Sequence, residues 1–109
     1  MRAPHFFFAL CAAALTLGAT GQALANDGEA LLKANGCLSC HAKNEKVVGP
    51  SYQSVADKYR GDKDAVASLV QSIQYGSKGK WGRVPMPPHP NMSAEDLKAV
   101  AQHVLATKH

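Results

Sequence analysis

At 109 residues the chain has room for one domain, and its 46% hydrophobic content owes much to an apolar N-terminal run. The formal charge of +4 is mildly basic, and no run of five or more Lys/Arg occurs, so a nucleic-acid surface built on a basic patch is excluded. Three cysteines allow one pair and a remainder, which excludes a disulfide framework.

The first element in chain order is a leader. Arg2 and His5 precede an apolar run over residues 6–15, and Ala23-Leu24-Ala25 follows a Gly/Thr-containing stretch. That is the charged, apolar and small-residue order of a secretory signal peptide, predicted to occupy residues 1–25 and to be removed after Ala25. A membrane anchor needs about 20 largely uninterrupted apolar residues; Gly18, Thr20, Gly21 and Gln22 break this run first. An acylated Cys11 is the weaker alternative, because Leu10 before it is large and Cys11 sits inside the apolar stretch. The remaining single domain, residues 26–109, has 84 residues, a formal charge of +3 and two cysteines. Domains of that size often need a metal, cofactor or disulfide for comfortable stability.

Asn26 or Asp27 caps a predicted short helix to about residue 35, with Ala30, Leu31 and Ala34 on one face and Gly36 as its stop. Residues 42–50 carry no sustained period, end in Gly49-Pro50 and are predicted as a loop. Ser51 caps the next helix, to about Tyr59, with Val55 and Tyr59 facing inward. Val66, Leu69, Val70 and Ile73 fall at i, i+3, i+4 and i+7, which predicts a helix capped by Asp64 and stopped by Gly76. Residues 77–91 hold Pro85, Pro87, Pro88 and Pro90 and admit no regular element; Trp81, Val84 and Met86 argue for a packed, functional loop. Ser93 and the acidic pair Glu95 and Asp96 open a last amphipathic helix carrying Leu97, Val100, Ala101, Val104 and Leu105 inward. Alternation at period two is absent, so the predicted class is all-α.

Cys37-Leu38-Ser39-Cys40-His41 is a C-x-x-C-H run, the sequence form of covalent haem attachment. Thiols three positions apart can reach the two vinyl groups on one side of a porphyrin, and the adjacent His41 is then held under the ring to meet the iron. A redox dithiol is the first alternative, but it usually accompanies a βαβ pattern that this chain lacks. Half of a zinc site is the second, to be completed only by His89, His103 or His109.

The sixth ligand decides the chemistry: a thioether opposite histidine makes a low-spin electron carrier of raised potential, whereas an open position suits gas binding or peroxide chemistry. Met86 lies among prolines that stiffen the backbone without helical hydrogen bonds, and it is the favoured candidate, with His89 its chief rival. Met92, just before the Ser93 cap, is predicted to be a hydrophobic staple.

These segments together resemble the small bacterial class I cytochromes c of the cytochrome c-551, or cytochrome c8, type. The likeness runs over residues 27–108, through Asn35-Gly36-Cys37-Leu38-Ser39-Cys40-His41-Ala42, Val48-Gly49-Pro50-Ser51-Tyr52, residues 76–82 around Trp81, and Val84-Pro85-Met86-Pro87-Pro88. The resemblance implies four to five short helices around one covalently bound haem c, with His41 and Met86 as axial ligands. It further implies that the Pro50 carbonyl accepts the hydrogen bond of the other His41 nitrogen and that Trp81 lines the haem, its indole nitrogen near a propionate. Two positions depart from the pattern: related sequences often carry an arginine near a propionate where this chain has Ser72, and an asparagine after Met-Pro-Pro where this chain has His89.

The expectation is therefore a monomeric, soluble periplasmic one-electron carrier with no membrane anchor, not an enzyme. It would shuttle between a donor such as a quinol-oxidising complex and a terminal oxidase or reductase. The alternative is a haem enzyme or gas-binding protein with an open or displaceable sixth position. Asp62 with Asp64, and Glu95 with Asp96, read as helix-start charge rather than catalytic carboxylate pairs.

Overall fold

A computed structural model of the chain describes Met1 and residues 27–108. The predicted leader beyond Met1, its cleavage after Ala25, Cys11 and His109 lie outside the described residues. Helix α1 spans Gly28–Ala34, and the Asp27 carboxylate accepts the Glu29 N–H at 3.0 Å as its cap. Its inner face differs from the expected one: Leu32 is buried and Leu31 half-buried, while Ala30 and Ala34 are exposed. The reason is the partner helix. Gly28 lies against His103 and the Ala99 carbonyl so closely that a Cβ there would overlap the His103 side chain, which turns the Gly28, Leu31 and Leu32 stripe inward.

Helix α2, Tyr52–Lys58, is capped by Ser51, whose hydroxyl accepts the Ser54 N–H at 3.0 Å. Tyr52, Val55 and Ala56 are buried, and Tyr59 just past the helix is half-buried against the same core. Helix α3 spans Ala65–Tyr75 and buries Ala65, Leu69, Ser72 and Ile73. Asp64 stands at the predicted cap position but its side chain makes no capping bond; instead the Asp62 carboxylate accepts the Asp64 N–H at 2.8 Å and shapes the turn before the helix. Gly76 ends α3 at φ 79°, a left-handed conformation that glycine adopts at no steric cost.

Helix α4, Ala94–Leu105, starts at Ser93, whose hydroxyl accepts the Asp96 N–H at 3.1 Å, and it is the hub. Helices α1, α2 and α3 all pack on it. Leu97 is 1% exposed, Val100 2% and Ala101 0%, and each fully buried Leu or Val side chain contributes about 1.5–3 kcal/mol of transfer free energy. Met92 packs beside this cluster, as the staple reading expects. Between α1 and α2, Cys37–Ser39 form a short 3-10 turn; the described residues contain no strand, only two isolated backbone bridges.

The all-α class and the predicted helix order stand. Replacing Gly28 with Ala tests the α1–α4 contact. Alanine favours a helix by up to about 1 kcal/mol, but forcing a methyl into a filled contact costs about 1–3 kcal/mol. We expect the variant to be the less stable protein in denaturant titration; a gain in stability would show that the two helices are not held at this spacing.

Candidate functional site

Past α1 the chain turns at once into the cysteine segment. Ser39 N–H donates to Gly36 O at 3.2 Å, Cys40 N–H to Cys37 O at 3.2 Å and His41 N–H to Cys37 O at 3.0 Å. In a 3-10 turn the side chains at i and i+3 eclipse, so Cys37 and Cys40 share one side. Both thiols are free and half-buried, and both line a single cleft, while Leu38 and Ser39 between them are exposed.

The loop over residues 42–50 folds back to hold His41. Val48 and Gly49 N–H groups both donate to Cys40 O, at 3.2 and 2.7 Å, and Tyr52 N–H donates to Ala42 O at 3.0 Å. This delivers the Pro50 carbonyl to 2.7 Å from His41 Nδ1. A carbonyl can only accept, so Nδ1 carries the proton and Nε2 is left with its lone pair, the form of imidazole that binds a metal. Gly49 lies against the ring so closely that a Cβ would overlap it, and Tyr52 stacks on it with centroids 5.6 Å apart.

The facing segment is the long proline-rich loop. It has no helix or strand, yet its neck is closed: Met86 N–H donates to Ser77 O at 2.8 Å and Ser77 N–H to Met86 O at 3.2 Å. Gly76 permits this pairing, because a Cβ there would stand 2.6 Å from the Met86 carbonyl oxygen. Met86 and Trp81 are half-buried against the core and line the cleft, and the Lys58 ammonium sits 4.5 Å from the Trp81 ring centroid, a cation–π contact between α2 and the loop.

Cys37, Cys40, His41, Pro50, Trp81 and Met86, the six residues singled out from sequence, thus line one cleft of about 1170 Å3 including its open mouth. Leu32, Val55, Leu69, Ile73, Val100 and Val104 form its apolar inner wall. His89 does not line it: its N–H donates to Ile73 O at 2.9 Å, and its Nδ1 is buried without a partner among the described residues. His103 lies at the α1–α4 contact. Among the described residues no three His, Cys, Asp or Glu side chains are grouped to hold a metal ion. Burial pushes the Cys37 thiol up, with Cys40 adding to it against a backbone hydrogen bond that lowers it, whereas a reactive redox cysteine needs a depressed pKa.

Sequence reasoning flagged Ser72 but not its partner. Ser72, on the buried side of α3, accepts the Lys80 ammonium at 2.6 Å, and both residues line the cleft.

The family model described as cytochrome c matches residues 25–108. The chain belongs to the cytochrome c family. It is 45% identical over 101 residues to cytochrome c-551 of Pseudomonas aeruginosa, covering 88% of this chain and 96% of the relative. It is 46% identical over 92 residues to cytochrome c-552 of Hydrogenobacter thermophilus, covering 84% and 91%. The crystal structure of Nitrosomonas europaea cytochrome c552 superposes with a TM-score of 0.69 at 45% identity, over 72% of this chain and 96% of that one. The fold is accordingly the small all-α class I cytochrome c fold, and the cofactor of this cytochrome is one covalently bound haem c with its iron. The cleft fits that group: two thiols on one side, an imidazole with a free Nε2 lone pair, a thioether, and apolar walls.

Burial pushes the Tyr52 phenol up from 10.0 to about 12, with a smaller contribution from the Cys37 thiol. A phenol that keeps its proton longer when folded contributes stability that is full below its unfolded pKa of about 10 and is lost as pH rises toward 12. Tyr52→Phe should therefore lose less stability between those pH values than the parent protein in denaturant titrations of the haem-loaded forms. Parallel losses in the two proteins would mean that the Tyr52 hydroxyl is open to water.

Proposed function

We propose that Cys37 and Cys40 carry the haem as thioethers, that His41 Nε2 and the Met86 sulfur are its axial ligands, and that the protein is a soluble periplasmic one-electron carrier. The observation that supports this most is the pairing of a tautomer-locked His41 with a Met86 whose backbone is pinned on both sides by Ser77, in one cleft. When bound, the haem iron supplies a ferric/ferrous couple. The rest is the chain's work. Pro50 holds the Nδ1 proton and raises the basicity of the ligating nitrogen. Met86 supplies a soft sulfur that favours the ferrous state, and the apolar wall excludes water, which disfavours the additional charge of the ferric state. A displaceable sixth ligand, needed by an enzyme or gas sensor, is at odds with a Met86 held by two backbone hydrogen bonds and the close approach to Gly76.

The periplasmic placement rests on the leader reading of residues 1–25 and on a C-x-x-C-H motif that is normally loaded after export. The partners would be redox proteins, a donor such as a quinol-oxidising complex and an acceptor such as a terminal oxidase or reductase, met by a monomer. Val48 and Val84 line the cleft and are exposed, with Lys46 and Arg83 beside them in the lining, while Lys43 and Lys78 are exposed nearby in sequence. A small apolar patch with a basic rim suits a brief contact with an acidic partner.

The mature protein should begin near Asn26 and carry a haem that acid-acetone cannot extract; release of free haem would end the thioether assignment. Met86→Ala should abolish the weak red charge-transfer band of sulfur-ligated ferric haem and lower the reduction potential, and Met92→Leu should do neither. Interchanged phenotypes would assign the ligand to Met92. Electron transfer to an acidic partner protein should slow as salt rises, and Lys46→Glu or Arg83→Glu should slow it more than Lys98→Glu on α4. Equal effects would place docking away from the cleft mouth.

A further inference from the structure

The cleft is lined by three cationic side chains, Lys46, Lys80 and Arg83, and by no aspartate or glutamate. One of the three is tied down. Ser72 is 9% exposed, and its hydroxyl donates to the Ser68 carbonyl one turn back in α3 at 3.1 Å. With its single proton committed there, the oxygen presents its lone pairs away from the helix, and the Lys80 ammonium binds them at 2.6 Å. Lys80 is otherwise a surface residue of the long loop. Its flexible stem brings the ammonium back to a buried hydroxyl inside the cleft, where no carboxylate of the described residues pairs with it. A neutral hydroxyl satisfies one of its three N–H donors, and a cation with donors to spare favours an anion beside it. Haem c brings two carboxylates into this cleft, on its propionates. Trp81, the next residue, also lines the cleft, and its ring takes a second ammonium, from Lys58, at 4.5 Å.

We propose that the Lys80 ammonium, seated on the Ser72 hydroxyl, is the counter-ion of a haem propionate. The inference rests on the haem-carrier reading above and adds to it a residue that sets the charge around the iron. Lys80 holds the propionate ionised toward lower pH, and it offsets the propionate's stabilisation of ferric iron, which raises the potential. Ser72 is the positioning residue: it fixes where the cation stands. The other titratable groups facing the cleft are Lys46, Arg83, Tyr52 and Tyr59, with Lys58 on Trp81; His41 and the two cysteines are taken up by the cofactor. His89, whose Nδ1 is buried, is common to every variant compared, so differences between variants report on Lys80.

The test uses the haem-loaded protein and four variants, Lys80→Gln, Lys80→Arg, Ser72→Ala and the loop control Lys78→Gln. Propionate ionisation is followed through the NMR shifts of the propionate methylenes and through the pH dependence of the reduction potential. In Lys80→Gln the propionate should bind its proton about tenfold more tightly, the potential should fall at neutral pH, and the decline of potential with rising pH should move to higher pH. Lys80→Arg should keep the parent behaviour, Ser72→Ala should lie between, and Lys78→Gln should match the parent. A propionate titration unchanged in Lys80→Gln, or moved equally by Lys78→Gln, overturns the proposal. Should Lys80→Gln fail to fold, a Ser72→Ala titration identical to the parent's overturns it by itself. Every sample is first checked for the sulfur-ligated ferric band: its absence from the parent protein counts against the Met86 ligand, whereas its presence with an unchanged propionate titration counts against Lys80 alone.

Discussion

The side chains that make the core also make the cleft. Leu32, Val55, Leu69, Ile73, Val100 and Val104 belong to the buried cluster around α4 and to the wall that faces the haem site. A domain of this size buries proportionally little surface by packing helices alone. A large flat apolar cofactor gives the second side of these residues something to pack against, and the thioethers keep it there. Stability and redox function therefore share one set of contacts, and a change that loosens α4 is expected to disturb the iron's surroundings as well.

Around that wall, His41 and Met86 are carried by segments with almost no regular structure. The loop before α2 and the long loop after α3 gain rigidity in other ways. Backbone N–H groups of Val48 and Gly49 converge on the Cys40 carbonyl, Ser77 and Met86 exchange two hydrogen bonds, and prolines limit the backbone on both sides of Met86. The Pro50 carbonyl accepts from His41 Nδ1 and fixes the ring from the other side. Rigid ligation suits electron transfer, because small changes in ligand geometry between oxidation states keep the reorganisation cost low. Charge is distributed differently. The cations at the cleft mouth reside on long, flexible side chains, and only Lys80 is tied to a buried group there.

Much of this was legible in the chain itself, for identifiable reasons. The spacing of Val66, Leu69, Val70 and Ile73, the Ser51 and Ser93 caps and the Gly76 stop are local signals, and local hydrogen bonding and helical periodicity answer to them directly. C-x-x-C-H is local too: an i, i+3 pair on one short turn needs no distant residue to share a side. Of the departures from expectation, one is tertiary and one is local. The inner face of α1 is set by how closely Gly28 meets His103, so Leu32 rather than Ala34 is buried. Asp64 leaves the capping bond to a turn made by Asp62.

By itself, then, the sequence determined the helices and the short turn that puts Cys37 and Cys40 on one side, because each depends on neighbours within a few residues. Only the tertiary structure decided which groups meet. The Pro50 carbonyl chooses the His41 tautomer, Ser77 closes the neck behind Met86, His89 turns away from the cleft, and Lys80 reaches a hydroxyl on another element. These pairings depend on how separate segments are packed, and a hydrogen bond of 2.6 or 2.7 Å exists or not according to shifts far smaller than any sequence pattern can encode.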